Sequence, residues 1–283
     1  MLTSTAPVFS PKTLDEALAF RRDHPNAMPL AGGTDLMVGI ELGAVKPDQI
    51  LNLWQLSALR SVRTNADGGV AIGALCTYRH ICRHDAVIAA APTLVEASRT
   101  VGAQQIQNRG TLAGNIANAS PAGDTLPVLL SLDAVIEVES AARGPRQIPM
   151  NELYSGYRQL SLAPDELITW IHLPSRHSND RTHFRKVGTR LAQAISKVML
   201  AVRVRMNGDL VEEARVALGS VGPVPLRAAS VEEALVGSPI DPSVAELLAN
   251  DITPIDDIRS TREYRIAVAK RTLNACLTHL ARS

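Results

Sequence analysis

The sequence predicts a protein of mixed α and β structure, in which a ligand-binding domain precedes a second α+β domain. Three observations support this prediction. The chain opens with a β-α-β pattern that leads into a glycine loop, a second glycine loop follows in the same half, and a hairpin signal with three helix starts fills the C-terminal part. The 283 residues, 46% of them hydrophobic, are enough for one large domain or for two or three smaller ones.

The N-terminal elements are short and alternate between helix and strand. Thr13-Leu14-Asp15-Glu16 is a capping box, which predicts a helix that Pro25 ends. Apolar runs at residues 27–30 and 49–53 predict strands, and the first of these leads into a pair of glycines. A glycine loop at the end of a strand is a common place for a bound ligand.

The middle of the chain predicts further strands around a helix. Residues 62–75 hold a turn cluster between two strand-like pieces, and residues 90–100 have a helical pattern. Residues 134–139 alternate between apolar and acidic, as in a half-exposed strand, and residues 166–173 predict another strand that ends at Pro174.

The composition becomes polar across residues 175–181, where Ser, Arg, His, Asn and Asp accumulate. Such stretches are typical of domain boundaries. We therefore predict two domains, at residues 1–176 and 177–283.

The second domain predicts a hairpin followed by helices. Two apolar stretches, residues 197–206 and 210–218, flank Asn207-Gly208-Asp209, a strong turn signal. Three helices follow, and each predicted start is a serine with a glutamate three positions later: Ser230, Ser243 and Ser260.

Composition excludes several classes of function. The formal net charge is +1 and aromatic residues make up 3%, so we expect no binding to nucleic acid. No apolar run reaches the roughly 18 residues of a membrane span. Residues 1–7 lack the pattern of a secretory signal, so we expect a cytoplasmic protein.

The cysteines do not form a metal-binding pattern. Cys76, Cys82 and Cys276 are the three in the chain, and none belongs to a Cys-x-x-Cys pair. Iron–sulfur clusters are usually held by about four thiolates, and zinc sites need a comparable ligand set. We therefore assign no metal-binding residue and no catalytic residue to this chain.

Two glycine-containing segments with few charged residues suggest a diphosphate site. Residues 30–36 read Leu-Ala-Gly-Gly-Thr-Asp-Leu, and residues 108–124 combine glycines, hydroxyls and amides with almost no charge. Small residues let backbone approach a ligand closely, and successive N–H groups can hold a phosphate. The pair of segments therefore predicts a diphosphate held by backbone and hydroxyl donors.

These segments, together with residues 186–190 and 257–265, resemble the FAD-binding medium subunits of the molybdenum hydroxylases, of the xanthine dehydrogenase and carbon monoxide dehydrogenase type. The resemblance covers essentially the whole chain. It implies an α+β fold, with a two-subdomain FAD-binding domain of the vanillyl-alcohol-oxidase (PCMH) type and a C-terminal α+β domain that contains a β-sheet and helices.

The resemblance also implies a function and partners. A large subunit with the molybdenum cofactor would oxidise the substrate, and a small subunit with [2Fe-2S] clusters would pass electrons to the FAD of this chain. The final acceptor would be NAD⁺, dioxygen or another oxidant, and the assembly a dimer of heterotrimers. Two alternatives stay open, a self-sufficient flavin oxidase of the same superfamily and a scaffold subunit that has lost flavin.

The FAD-binding residues that the resemblance implies lie in the two loops and at a few further positions. Asp124 would bind the adenosine ribose, Lys186 would lie near the flavin ring, and residues 187–197 would line it. The full set is Leu30, Ala31, Gly32, Gly33, Thr34, Asp35, Leu36, Val101, Gly110, Thr111, Ala113, Gly114, Asn115, Ser120, Asp124, Ile168 and Lys186.

Each of the isolated positions also has an ordinary structural interpretation. Asp124 could be a helix N-cap, Ile168 a strand core residue and Lys186 a surface lysine. Two positions depart from the family pattern, since Ala113 stands in place of a glycine and Gln107 in place of an arginine. Ala113 would be tolerated only if its φ angle is negative.

Overall fold

The computed structural model of the protein describes residues 6–190 and 192–282. Part of the N-terminal segment considered above, residues 1–5, and Leu191 of the predicted 187–197 loop lie outside this part. Within the described ranges, no helix is both long enough and apolar enough to span a lipid bilayer.

A small parallel sheet with two helices forms the first subdomain. Thr13 caps the first helix by accepting a hydrogen bond from Glu16 N at 3.2 Å, as the capping box predicts. The strand order is β1-β3-β2 with both pairs parallel, which confirms the predicted β-α-β unit. The elements are β1 (Val8–Phe9), α1 (Leu14–Asp23), β2 (Met28–Leu30), α2 (Leu36–Glu41) and β3 (Ile50–Asn52).

An antiparallel five-stranded sheet with helices packed beside it forms the second subdomain. Its strand order is β4-β5-β10-β6-β7, and a separate hairpin pairs β8 with β9. The strands are β4 (Val62–Thr64), β5 (Val70–Gly73), β6 (Val135–Ser140), β7 (Gly144–Pro149), β8 (Tyr154–Gly156), β9 (Gln159–Leu160) and β10 (Leu167–Leu173). The helices are α3 (Tyr78–Ile81), α4 (Asp85–Ala90), α5 (Pro92–Arg99), α6 (Gln104–Gln107), α7 (Leu112–Asn118) and α8 (Leu126–Ser131).

The largest hydrophobic core lies between this sheet and these helices. Ile72 and Ile136 of the sheet and Leu94 and Leu129 of the helices are fully buried in it. Burial of each such side chain stabilises the fold by about 1.5–3 kcal/mol. The core therefore fixes α7 and α8, and with them the second glycine loop, against the sheet.

A four-stranded antiparallel sheet covered by helices forms the C-terminal domain. Its strands, in order, are β11 (Asp180–Val187), β12 (Val198–Asn207), β13 (Leu210–Gly219) and β14 (Leu226–Arg227). Two α-helices, α9 (Ala229–Leu235) and α10 (Arg262–Ala281), and a 3₁₀ run (Pro242–Asn250) follow. Gly208 has φ +61° in the turn between β12 and β13, which confirms the predicted hairpin.

The predicted caps at Ser230 and Ser243 are wrong, although helical segments form near both, whereas the third helix begins near Ser260, as predicted. α9 begins one residue before Ser230 and has no side-chain cap, and Glu232 in its first turn accepts a hydrogen bond from Val216 N at 2.7 Å. Asp241 caps the 3₁₀ run and Thr261 caps α10. Neighbouring residues and tertiary partners therefore set the helix starts that the serines were expected to set.

Ion pairs join the C-terminal sheet to the second subdomain. Asp133, at the end of α8, receives Arg203, Arg215 and Arg227 at N···O distances of 2.5, 2.9 and 3.3 Å. Arg203 also donates to Ser131 O at 2.9 Å. The C-terminal domain is thereby held beside α8, with the start of β12 facing the segment that follows the second glycine loop.

Candidate functional site

The two glycine loops predicted from the sequence lie in direct contact. A Cβ atom built on Gly32 would lie 1.8 Å from Arg109 O, so backbone meets backbone there without room for a methyl group. A Cβ on Gly110 would lie 3.3 Å from the Thr34 hydroxyl and 3.0 Å from the ring of Tyr78. Distant parts of the sequence therefore form one backbone surface.

The first loop presents a row of free hydrogen-bond donors. Within the described part of the chain, the backbone N–H groups of residues 32–35 donate to no partner. Gly33 has φ +78°, a left-handed conformation that suits glycine. Such a row of donors fits a phosphate group.

An aromatic stack supports the contact between the loops. The Arg109 guanidinium lies 3.9 Å from the ring centre of Trp54, and Arg60 lies 4.3 Å from the same ring. Arg109 also donates weakly to Gly32 O, at 3.5 Å. This stack was not predictable from the sequence, because Trp54 and Arg60 belong to no motif.

The second loop is the start of helix α7. Thr111 caps this helix by accepting a hydrogen bond from Gly114 N at 3.0 Å, and Asn115 accepts one from the Thr125 hydroxyl at 2.7 Å. Ala113 lies inside α7 and is buried, so its φ is helical and its methyl group is accommodated. The φ angle of Ala113 is therefore negative, which is the condition under which an alanine is tolerated at this position.

Gln107, the second departure from the family pattern, has a structural role. Its side-chain amide donates to Arg99 O at 3.0 Å and to Val101 O at 3.2 Å. These bonds hold the turn after α5 beside the loop. Val101, one of the predicted site residues, is half-buried at that turn.

Asp124, Lys186 and Ser196 form a buried polar cluster. The Asp124 carboxylate accepts from Lys186 Nζ at 2.6 Å and from the Ser196 hydroxyl at 2.6 Å, and Lys186 also donates to Thr100 O at 3.0 Å. The side chains of Lys186 and Asp124 are 9% and 11% exposed. Burial raises the pKa of Asp124, although Lys186 and Ser196 act in the opposite direction.

This cluster changes the interpretation of two predicted residues. The family resemblance implies that Asp124 binds the ribose and that Lys186 lies near the flavin ring, yet Asp124 Oδ2 and Lys186 Nζ are 2.6 Å apart. A bound group that contacts one of them must lie beside the other. The alternative of Asp124 as a helix N-cap is wrong, because the N-cap of α8 is Thr125. Lys186 is likewise not a surface lysine.

The remaining predicted residues lie around the loops or in the core. Ser120 forms the turn after α7, where its hydroxyl accepts from Ala122 N at 3.3 Å. Leu30 ends β2, and Leu36 starts α2 beside the exposed Asp35. The Ile168 side chain packs in the main hydrophobic core, as its strand-core interpretation predicts. Ala31 packs against a smaller core in the first subdomain.

A polar groove of about 600 Å³ lies beside the second loop. Thr77 lies at its edge and pairs with Thr111 in an isolated antiparallel bridge. The groove is lined by Thr77, Arg79, His80, Gln104, Gln105 and Asn108. The groove therefore places polar side chains beside the start of the second loop.

The three thiols are separate packing residues. Cys76 and Cys276 are buried, and burial raises their pKa values to about 11 and about 12. Within residues 6–190 and 192–282, no group of three or more His, Cys, Asp or Glu side chains is arranged to hold a metal ion.

The donor set fits FAD, which the sequence resemblance implies. Free N–H groups at a glycine loop suit a diphosphate, and the small residues leave backbone accessible. The Asp124–Lys186 pair places a buried cation and a buried anion at the end of the second glycine-containing segment.

Comparisons with known proteins agree with this assignment. A family described as "FAD binding domain in molybdopterin dehydrogenase" matches residues 3–176, and one described as "CO dehydrogenase flavoprotein C-terminal domain" matches residues 183–280. The glyceraldehyde dehydrogenase medium chain of Sulfolobus acidocaldarius is 34% identical over 264 residues, which cover 92% of each chain. The xanthine dehydrogenase FAD-binding subunit of Escherichia coli O157:H7 is 28% identical and covers 90% of this chain and 88% of its own length.

Solved structures show the same fold. A chain of the carbon monoxide dehydrogenase from Hydrogenophaga pseudoflava, in a form lacking the Mo-pyranopterin moiety of the molybdenum cofactor, superposes with a TM-score of 0.92 at 26% identity. The match covers 97% of this chain and 96% of that one. The predicted fold class is thereby confirmed.

Proposed function

Because the chain belongs to the family of FAD-binding medium subunits of the molybdenum hydroxylases, we propose that it is the electron-transferring flavin subunit of a three-subunit oxidoreductase. In this proposal, electrons from iron–sulfur clusters of a small subunit pass through FAD to NAD⁺, dioxygen or another acceptor. A large subunit with the molybdenum cofactor oxidises the substrate, and two heterotrimers associate.

The observation that supports this proposal most is the contact between the two glycine loops. Gly32 packs against the backbone of Arg109 and Gly110, and it belongs to the same loop as the free N–H groups of residues 32–35. Backbone N–H groups of this kind can donate to the oxygens of a diphosphate. We propose that residues 30–36 and 110–115 hold that diphosphate.

We propose that the Asp124 cluster holds the polar part of the cofactor nearest the C-terminal domain. Lys186 supplies a cation whose ammonium is fixed by Asp124 and Thr100 O, so a ligand oxygen meets it in one orientation. The Ser196 hydroxyl fixes the second oxygen of Asp124. Burial excludes water from the pair, which strengthens its field at a nearby ligand.

The division of chemistry among subunits also explains the chain's own content. The described residues contain a backbone cradle and a buried ion pair but no metal-ligand cluster. We therefore assign substrate oxidation to a partner chain.

We also propose that the boundary between the FAD-binding part and the C-terminal part lies between residues 176 and 177. Limited proteolysis that cuts between β10 and β11 would support this boundary.

The proposal is tested by expressing the chain without partners. We expect about one FAD per chain after reconstitution. We also expect oxidation of reduced nicotinamide with an artificial dye, but no oxidation of purines or aldehydes with the same dye. Substrate oxidation by the isolated chain at a rate near that of the intact complex would favour a self-sufficient oxidase. A chain that binds no FAD would favour the scaffold alternative.

A further inference from the structure

Arg265, the last residue of the 257–265 motif, is a buried cation that joins three segments. It lies in the first turns of α10 and is 3% exposed. Its guanidinium donates to Lys197 O at 3.0 Å, to Ser220 O at 2.7 Å and to Asp257 Oδ1 at 2.8 Å. The function proposed above does not use this side chain.

Two of these contacts lead directly to the candidate FAD site. Lys197 follows Ser196, whose hydroxyl holds Asp124 at 2.6 Å. Ser220 donates its backbone N–H to Pro121 O at 2.8 Å, within the segment between α7 and Asp124. One side chain therefore anchors both sides of the Asp124 cluster.

The backbone at Ser220 shows how tightly this point is constrained. Ser220 has φ +66°, a conformation that residues other than glycine rarely adopt. Its hydroxyl and Arg265 Nε are both buried without a hydrogen-bond partner in the described part of the chain. The Arg265 guanidinium and the carbonyl groups of Lys197 and Ser220 therefore hold one another in place.

We propose that Arg265 is a positioning residue for the flavin site. By fixing the carbonyls of Lys197 and Ser220, it keeps Ser196 and Pro121 in place, and these in turn orient Asp124 and its partner Lys186. The inference rests on the proposed function, because it assumes that this cluster contacts bound FAD.

The test uses a conservative variant and a matched control. Arg265→Lys keeps the charge, but an ammonium cannot replace the planar fork that spans two carbonyls and a carboxylate. We expect the FAD dissociation constant to rise about tenfold and the visible circular dichroism of the bound flavin to change. Arg262→Lys, an exposed position on the same helix, should change neither.

A double variant shows whether Arg265 acts through the cluster. Ser196→Ala removes the hydroxyl that holds Asp124 without touching Arg265, and we expect a similar loss of affinity. If the two residues act in one chain of contacts, the double variant should bind FAD no more than about twofold more weakly than the weaker single variant. Losses that multiply, to about 100-fold, would contradict the inference.

Other outcomes are equally informative. A lower melting temperature of the FAD-free Arg265→Lys protein with unchanged FAD affinity would mean a purely structural role and would overturn the inference.

If Arg265→Lys does not fold, Asp257→Asn is the second test, because it weakens one ion pair of the Arg265 guanidinium and keeps the arginine. The FAD affinity of this variant should fall, and its loss should not multiply with the loss caused by Ser196→Ala. Unchanged affinity in that variant would also overturn the inference. Absence of FAD binding by the wild-type chain would contradict the proposed function and this inference with it, whereas normal binding by the wild type and all variants would contradict the inference alone.

Discussion

Replacing Gly32 with alanine tests the contact between the two glycine loops. The added Cβ would lie 1.8 Å from Arg109 O and 2.5 Å from Arg109 C. Real Cβ atoms essentially never come within 3.0 Å of such atoms, so the loops must separate by about 1.2 Å. Because Gly32 is not among the residues with positive φ, the effect is steric rather than conformational.

The free-energy cost of the added methyl group depends on whether the atoms that it meets can move. Overpacking a well-packed region costs about 1–3 kcal/mol when side chains can yield, and here the obstacle is backbone held by α7 and β2. We expect the upper end, about 3 kcal/mol, divided between lower stability and weaker FAD binding. If it falls mainly on binding, the FAD dissociation constant should rise roughly 100-fold.

The assay measures both consequences on one sample. The flavin-to-protein absorbance ratio and an FAD titration report binding, and circular dichroism with urea unfolding reports the fold. Gly43→Ala is the matched control, because Gly43 lies in the same subdomain with φ +69° and an added methyl group there would meet nothing within 4 Å. It should lose about 1–2 kcal/mol of stability but no FAD affinity. Full FAD occupancy and wild-type affinity in Gly32→Ala would refute the assignment of the loops.

Further predictions concern the ion pair, the pH dependence, the helix and the linkage of the flavin. Lys186→Met should lower the free energy of unfolding by about 3 kcal/mol, since it leaves Asp124 buried without its cation. Adding Asp124→Asn should restore much of this in urea unfolding, and simply additive losses would argue against the pair. Burial and the neighbouring His279 lower the pKa of His183 below 6.5, so the neutral form is favoured in the folded state. The contribution of neutral His183 to the free energy of unfolding is full above about pH 6.5 and is lost as the pH falls through the folded-state pKa. The melting temperature should therefore drop between about pH 7.5 and about pH 5.5, and it should drop less in His183→Gln. Equal drops in the two proteins would contradict this prediction. Ala113→Gly should cost about 0.5–1 kcal/mol in thermal unfolding without improving FAD affinity, and tighter binding would show that the helix is not the reason for the alanine. Acid precipitation should release the flavin as FAD, whereas colour retained in the pellet would indicate a covalent bond.

Much of the fold was predictable because its signals are local. The helix cap at Thr13 and the turn at Gly208 each act within a few residues, and both formed where the sequence placed them. The serine boxes failed where other contacts competed with them. At the start of α9, Glu232 accepts from Val216 N on a strand that is separate in sequence, and Ser230 does not cap the helix.

In the candidate site, too, local properties were predictable and contacts between distant residues were not. That residues 30–36 and 108–124 are mostly small, carry few charges and contain several glycines could be read from the sequence, because these properties belong to the residue types. The packing of Gly32 on Arg109 and the pairing of Asp124 with Lys186 became visible only in the folded chain. Such contacts depend on how the core brings separate segments together, and residues far apart in the chain leave no periodic or spacing signal that a single sequence can show.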